Sequence, residues 1–118
     1  MNGFILVAHG SRRAVANEEI AQFAEQVAAG LNERFGVIDH AFWELAEPSL
    51  AQAIDQQVAA GANTVKIFPY FLAQGSHVTN DLPSVVTQKQ AQYPEVTITL
   101  LPHLGAVPGF AHWLANQL

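Results

Sequence analysis

The chain opens on a short unbroken apolar run, Phe4-Ile5-Leu6-Val7-Ala8, which stops at His9-Gly10-Ser11. A continuous run, rather than an alternating one, predicts a strand buried on both faces, as in a parallel sheet. Ile20, Phe23, Ala24, Val27, Ala28, Leu31 and Phe35 then recur at spacings of three and four, which predicts a helix with one apolar stripe. Glu18 and Glu19 stand near its expected start, where the helix dipole favours acids, and Gly36 follows its end. Val37 to Trp43 reads as a second strand, interrupted by Asp39 and His40. Pro48 is expected to open a helix carrying Leu50, Ala53, Ile54 and Val58, closed by Gly61. Thr64 to Phe68 predicts a third strand. Asp81 and Pro83 sit in helix-opening positions ahead of Val85 and Val86, and that helix ends near Tyr93-Pro94. Val96 to Leu101 predicts a fourth strand, and Val107, Phe110, Ala111 and Leu114 a last helix.

The resulting order is βαβαβαβα. Strict alternation within one domain argues for an α/β fold, a four-stranded parallel sheet flanked by helices on both faces. The length of 118 residues fits a single domain over 1–118, and 50% apolar residues suffice for a core. No apolar run approaches the roughly 18 residues of a membrane span. Met1-Asn2-Gly3-Phe4 lacks the charged start of a signal peptide, so the expectation is a soluble, cytoplasmic protein. Cysteine is absent, which removes disulfides, thiolate metal sites and a cysteine nucleophile. A formal charge of −5 argues against nucleic acid as a partner. Arg12 and Arg13, adjacent and two of five basic residues, are the candidates for recognising an anion.

Ligands of open parallel sheets bind beyond the carboxyl ends of the strands. Strand one delivers His9-Gly10-Ser11-Arg12-Arg13 to that edge and strand two delivers Glu44, with Glu47 behind it. Strand three delivers Tyr70, Phe71 and, within an apolar loop, His77; strand four delivers His103. Each residue has a plain structural explanation. His9 can bond to a carbonyl in a tight turn, His77 can cap the next helix, and Glu44 can be a solvated strand end. His103 is more often structural, its role stays open, and His40 and His112 fall inside a strand and a helix. Arg12 and Arg13 can form a solvated helix face, and Tyr70, Phe71 and Leu72 can be core or dimer packing. The convergence of imidazoles and a carboxylate on one edge, rather than any single residue, suits a divalent transition metal with open coordination positions. The spacing is long-range, with no HxxxH or HExxH pair.

Three segments together resemble the small, single-domain class II chelatases, the sirohydrochlorin cobalt and iron chelatases. They are Leu6-Val7-Ala8-His9-Gly10-Ser11-Arg12, Phe42-Trp43-Glu44-Leu45-Ala46-Glu47-Pro48-Ser49-Leu50, and Phe68 through Gly75-Ser76-His77 to Asp81-Leu82-Pro83. They stand in the family's order, and the resemblance covers nearly the whole chain. It implies a Rossmann-like, chelatase-like fold, one half of a bilobal class II chelatase, and a homodimer. It implies ATP-independent insertion of Co²⁺ or Fe²⁺ into sirohydrochlorin, in cobalamin or sirohaem biosynthesis, with the metal as substrate and no organic cofactor. Ni²⁺ is a lesser option, because no histidine-rich tract is present. The implied metal site is His9 and His77 with Glu44 facing it. Ser11, Arg12, Arg13, Tyr70, Phe71, Leu72, Gly75 and Ser76 would bind the flat, carboxylate-fringed macrocycle. No membrane is implied as partner.

Two competing readings remain open on sequence. A non-enzymatic metal carrier would use the same His9, Glu44 and His77. A histidine phosphatase is similar in His9-Gly10 followed by Arg12, but that motif needs an arginine where this chain has Ala8.

Overall fold

The structure, a computed structural model, describes residues 1–75 and 77–118, and within these every side chain except those of Asn32, His77 and Val78. Strands β1 (Asn2–Ala8), β2 (Val37–Phe42), β3 (Thr64–Pro69) and β4 (Thr97–Leu100) alternate with helices α1 (Ala14–Leu31), α2 (Leu50–Ala59), α3 (Leu82–Gln92) and α4 (Phe110–Asn116). The strands form a four-stranded sheet in the order β2-β1-β3-β4. Every pairing is parallel, as the unbroken apolar runs require.

β1 lies between β2 and β3, so the chain crosses first to one side of it and then to the other. The carboxyl ends of β1 and β3 therefore flank the topological switch point, where a parallel sheet leaves a crevice for ligand. Ile5 and Val7 of β1 face α2 and α3 and join Ala41, Ile54, Val65, Ile67 and Leu82 in the larger core. Phe4 and Leu6 face the other way and pack with Ala24, Phe23 and Val27 of α1. Helices thus pack on both faces, as expected. Gln57 of α2, fully buried, reaches between them and donates to the Phe4 carbonyl at 2.8 Å and to Asp39 Oδ2 at 3.0 Å.

Several element ends differ from expectation for local reasons. Pro48 does not open α2: Ser49 is its N-cap, and Ser49 and Gln52 form a capping box, each side chain bonded to the other's backbone N–H. Pro48 precedes the cap, behind a cis Glu47–Pro48 bond. α1 begins at Ala14, so Glu18 and Glu19 lie beyond its first turn, which holds no acid. Its apolar stripe runs on through a 3-10 turn, Asn32–Arg34, before Gly36. Asp81 stands at the N-cap of α3 without a capping hydrogen bond from its side chain, and Pro83 lies in the first turn as expected. A π-helical turn, His77–Asp81, leads into α3. No helix among the described residues is long and apolar enough to cross a membrane.

Candidate metal and macrocycle site

His9 and Glu44 lie 35 residues apart in sequence and side by side in space. The backbone brings them together. β1 and β2 end in register at Ala8 and Phe42. The ladder then continues two residues past both strands: the Trp43 N–H donates to the Ala8 carbonyl at 2.8 Å, and the Glu44 N–H to the His9 carbonyl at 3.0 Å. Gly10 permits this approach. Its φ is +98°, and a Cβ there would stand 1.8 Å from the Glu44 carbonyl oxygen. Any larger residue would meet both a left-handed backbone and a collision.

His9 Nε2 donates to Glu44 Oε1 at 3.1 Å. Their side chains are 57% and 44% exposed, so the pair sits on an open rim rather than in an enclosed cavity. The spacing has a direct chemical meaning. Two ligands on one small divalent ion, each about 2.1 Å from it and about 90–110° apart, stand roughly 3.0–3.4 Å from each other. A divalent ion can therefore take the place of the proton shared by Nε2 and Oε1 with little movement of either group.

The Phe71 ring meets the His9 ring edge-on, with centroids 6.0 Å apart at 83°. Phe71 is placed by the end of β3, where the Tyr70 N–H donates to the Val7 carbonyl at 2.8 Å. Tyr70 turns the other way and stacks on Phe23 of α1, with centroids 4.9 Å apart. Leu72, at 70% exposed, and Leu45, at 54%, present aliphatic side chains to solvent at the same end of the sheet. His103 lies at the end of β4, before a 3-10 turn, Leu104–Ala106, whose Gly105 N–H donates to the Phe71 carbonyl at 3.1 Å.

Arg12 and Arg13 are exposed, and among the described residues neither forms an ion pair. Ser11 does not offer its N–H freely. That N–H donates to Asn17 Oδ1 at 3.0 Å, while Asn17 Nδ2 donates to the Ser11 carbonyl at 2.8 Å. The Ser11 hydroxyl accepts from the Arg13 N–H at 3.0 Å. Asn17 thus clamps the loop that carries His9 and both arginines. Sequence reasoning missed it, because an asparagine inside a helical stretch reads as a neutral filler; its only signal is its place one turn into the helix behind a serine loop. Gly75 is exposed, and its carbonyl accepts from the Thr79 N–H and hydroxyl, both at 3.1 Å. Ser76 and the His77 side chain lie outside the described residues. Among the described residues no group of three or more histidine, aspartate or glutamate side chains can hold a metal ion. His9 and Glu44 supply two.

The family model described as CbiX matches residues 3–118, nearly the whole chain. The chain belongs to the CbiX family. A sirohydrochlorin cobaltochelatase of Methanocaldococcus jannaschii is 33% identical over 86 residues, covering 73% of this chain and 59% of the relative. A chloroplastic sirohydrochlorin ferrochelatase of Arabidopsis thaliana is 32% identical over 106 residues, covering 88% of this chain and 45% of the relative. This CbiX-family chain therefore spans about half the length of these two relatives. The sirohydrochlorin chelatase SirB of Bacillus subtilis subspecies spizizenii, solved in complex with cobalt, superposes with a TM-score of 0.84 at 25% identity. That match covers 98% of this chain and 49% of SirB.

Proposed function

We propose that this protein is a sirohydrochlorin chelatase that inserts Co²⁺ or Fe²⁺ into the tetrapyrrole without ATP, working as a cytoplasmic homodimer in cobalamin or sirohaem biosynthesis. The observation that carries the reading is the His9–Glu44 pair. It is pre-spaced for a divalent ion, fixed by backbone hydrogen bonds at the carboxyl ends of β1 and β2, and carried by a CbiX-family fold. Names of relatives supply both metals, cobalt and iron. His77, one π-helical turn ahead of α3, is the proposed third ligand.

The reaction takes a divalent metal and sirohydrochlorin and releases the metallated macrocycle and two protons. Its obstacles are water held by the metal and the two pyrrole N–H protons. Imidazole and carboxylate ligands displace part of the water before the macrocycle arrives and fix the ion relative to it. Imidazole and carboxylate are also bases suited to accept pyrrole protons near neutral pH. The exposed Leu72 and Leu45, with the half-buried Phe71 between core and rim, suit the flat face of a macrocycle, with Tyr70 beside it. Arg12 and Arg13, paired with no acid among the described residues, suit its fringe carboxylates, and bidentate pairing would orient it. Gly75 and Ser76 are proposed as backbone donors to the same fringe. Ser11, whose N–H is already held by Asn17, would act through the position of its loop.

Half of SirB corresponds to one copy of this chain, and the His9 rim is open on one side, which together support a dimer that closes the cleft. The test is anaerobic metallation followed by the macrocycle's absorption bands, with Co²⁺ and Fe²⁺ in separate cuvettes. The expected result is acceleration over the protein-free blank that is lost in His9→Ala and His77→Ala. Metal binding by the wild type without acceleration for either metal would overturn the chelatase reading in favour of a metal carrier.

A further inference from the structure

The two faces of the sheet are unequally covered. α2 and α3 pack on one face, joined to Ile5, Ile67 and Ile98 in one core. On the other face α1 packs over β1 and β2, and touches β3 through Phe68 and Tyr70. The rest of that face is bare: Lys66 of β3 and Thr97 and Thr99 of β4 point there and are exposed. A sheet with helices on both faces would carry one more helix at this position.

Among the described residues, one helix packs chiefly against the turn that leads into it. α4 contains no buried residue. Phe110, Trp113 and Leu114 recur at helical spacing, and Trp113 is 56% exposed and Leu114 49%. Phe110 and Trp113 stack on each other, with centroids 6.1 Å apart, instead of on the sheet. Such a stripe on a helix of a soluble domain marks a buried interface. The path into α4 explains why it does not settle on its own sheet. The connecting turn is held to the β3 loop by the Gly105 N–H, and Gly105 has no room for a side chain, since a Cβ would stand 1.8 Å from the Leu72 carbonyl oxygen.

We infer that α4 of one chain packs on the bare β3–β4 half of the sheet of a second copy, so that two copies exchange their last helices. The occupant is a second copy because 98% of this chain matches 49% of the SirB chain, so two copies supply the length of one SirB. The exchange rests on the dimer proposed above and adds its surface. It also has a consequence for the site. The exchanged helix would lie alongside the Phe68–Tyr70 edge, so the partner would build one wall of the macrocycle cleft next to Tyr70.

The chain has no cysteine, so introduced cysteines are its only thiols. Thr99→Cys and Trp113→Cys chains are mixed and oxidised, and the double variant is oxidised alone. Wild type is sedimented in parallel. The expected results are a wild-type dimer, a disulfide between the two single variants at dimer mass, and covalent dimers from the double variant. Trp113→Glu/Leu114→Glu, on an exposed helix and with an unchanged circular dichroism spectrum, is expected to sediment as monomer. A wild-type dimer that survives this double substitution, or a disulfide closed within one chain, would overturn the exchange while leaving the dimer standing. A wild type that is monomeric at all concentrations would overturn both.

Discussion

The α2–α3 side of the sheet and the carboxyl rim of β1 and β2 are built on opposite plans. The first is closed by side chains: Ile54, Ile67 and Leu50 are all but inaccessible. Its outer edge is stapled where Lys89 of α3 donates to Asp55 of α2 at 2.8 and 3.0 Å and the Tyr93 hydroxyl donates to Asp55 at 2.6 Å. The rim is closed by backbone. Two hydrogen bonds past the strand ends and one glycine with positive φ place His9 and Glu44 while leaving both half open, and an asparagine clamp holds the loop at Ser11 behind them. One region invests in burial and tolerates no exposure. The other keeps its imidazole and carboxylate wet and takes its precision from the main chain. Substitutions should separate stability from chemistry along this division.

The largest stability effect belongs to the closed side. Ile54→Ala removes a fully buried side chain from the larger core, and chemical denaturation should show a loss of about 2–5 kcal/mol. Gly10→Ala should be felt on both counts. Its left-handed backbone alone costs about 1–2 kcal/mol, and the collision with the Glu44 carbonyl should part the His9–Glu44 pair and abolish metallation. Asn17→Ala should cost about 1 kcal/mol in stability and raise KM for the macrocycle more than it lowers kcat, because it frees Ser11 and the adjoining arginines while the Glu44 N–H still holds the His9 carbonyl. Equal loss in kcat with unchanged KM would contradict that role.

The smallest effect is Asp55→Asn. Partial burial pushes the Asp55 carboxyl up, but hydrogen bonds from Lys89 and Tyr93 and the Lys89 charge outweigh it and hold it below the ordinary 3.8. The hydrogen bond to Asp55 in turn raises Tyr93 above 10.0. The depressed carboxyl stabilises the fold above its ordinary value, and this is lost as pH falls through the folded pKa. The raised phenol stabilises below its ordinary value, and this is lost as pH rises through the folded pKa. Asp55 is 44% exposed, so solvent screening limits the staple to at most about 1 kcal/mol. Denaturation midpoints should show both pH limbs flattened in Asp55→Asn, with metallation unaffected.

Much of this was readable in the chain. Unbroken runs such as Phe4–Ala8 announce strands buried on both faces, and the stripe from Ile20 to Leu31 announces α1, because burial imposes its period directly on the sequence. His9 and Glu44 could be placed on one edge, since strand ends follow from the strands. Their contact could not, because it depends on main-chain bonds past the strand ends that leave no side-chain pattern; Gly10 is the one visible trace. The entry to α2 was misplaced at Pro48, since proline fits just before a cap as well as just after one, and the Ser49–Gln52 box decides between them. The Asn17 clamp was invisible because its partners are the backbone atoms of Ser11. The exposure of α4 was hidden for the converse reason. Phe110 and Leu114 show the same stripe whether a helix packs on its own sheet or on another copy's.

The central claim is that His9 and Glu44 are already spaced as neighbouring ligands of one divalent ion. The most direct test is anaerobic titration of the metal-free protein with Co²⁺, following the visible absorption of the bound ion, for wild type, His9→Ala and Glu44→Ala. Saturable binding by the wild type, weakened at least about tenfold in each variant at unchanged stability, is the predicted result. Binding that survives either substitution at full strength would show that the pair is a surface hydrogen bond and that the metal is received elsewhere.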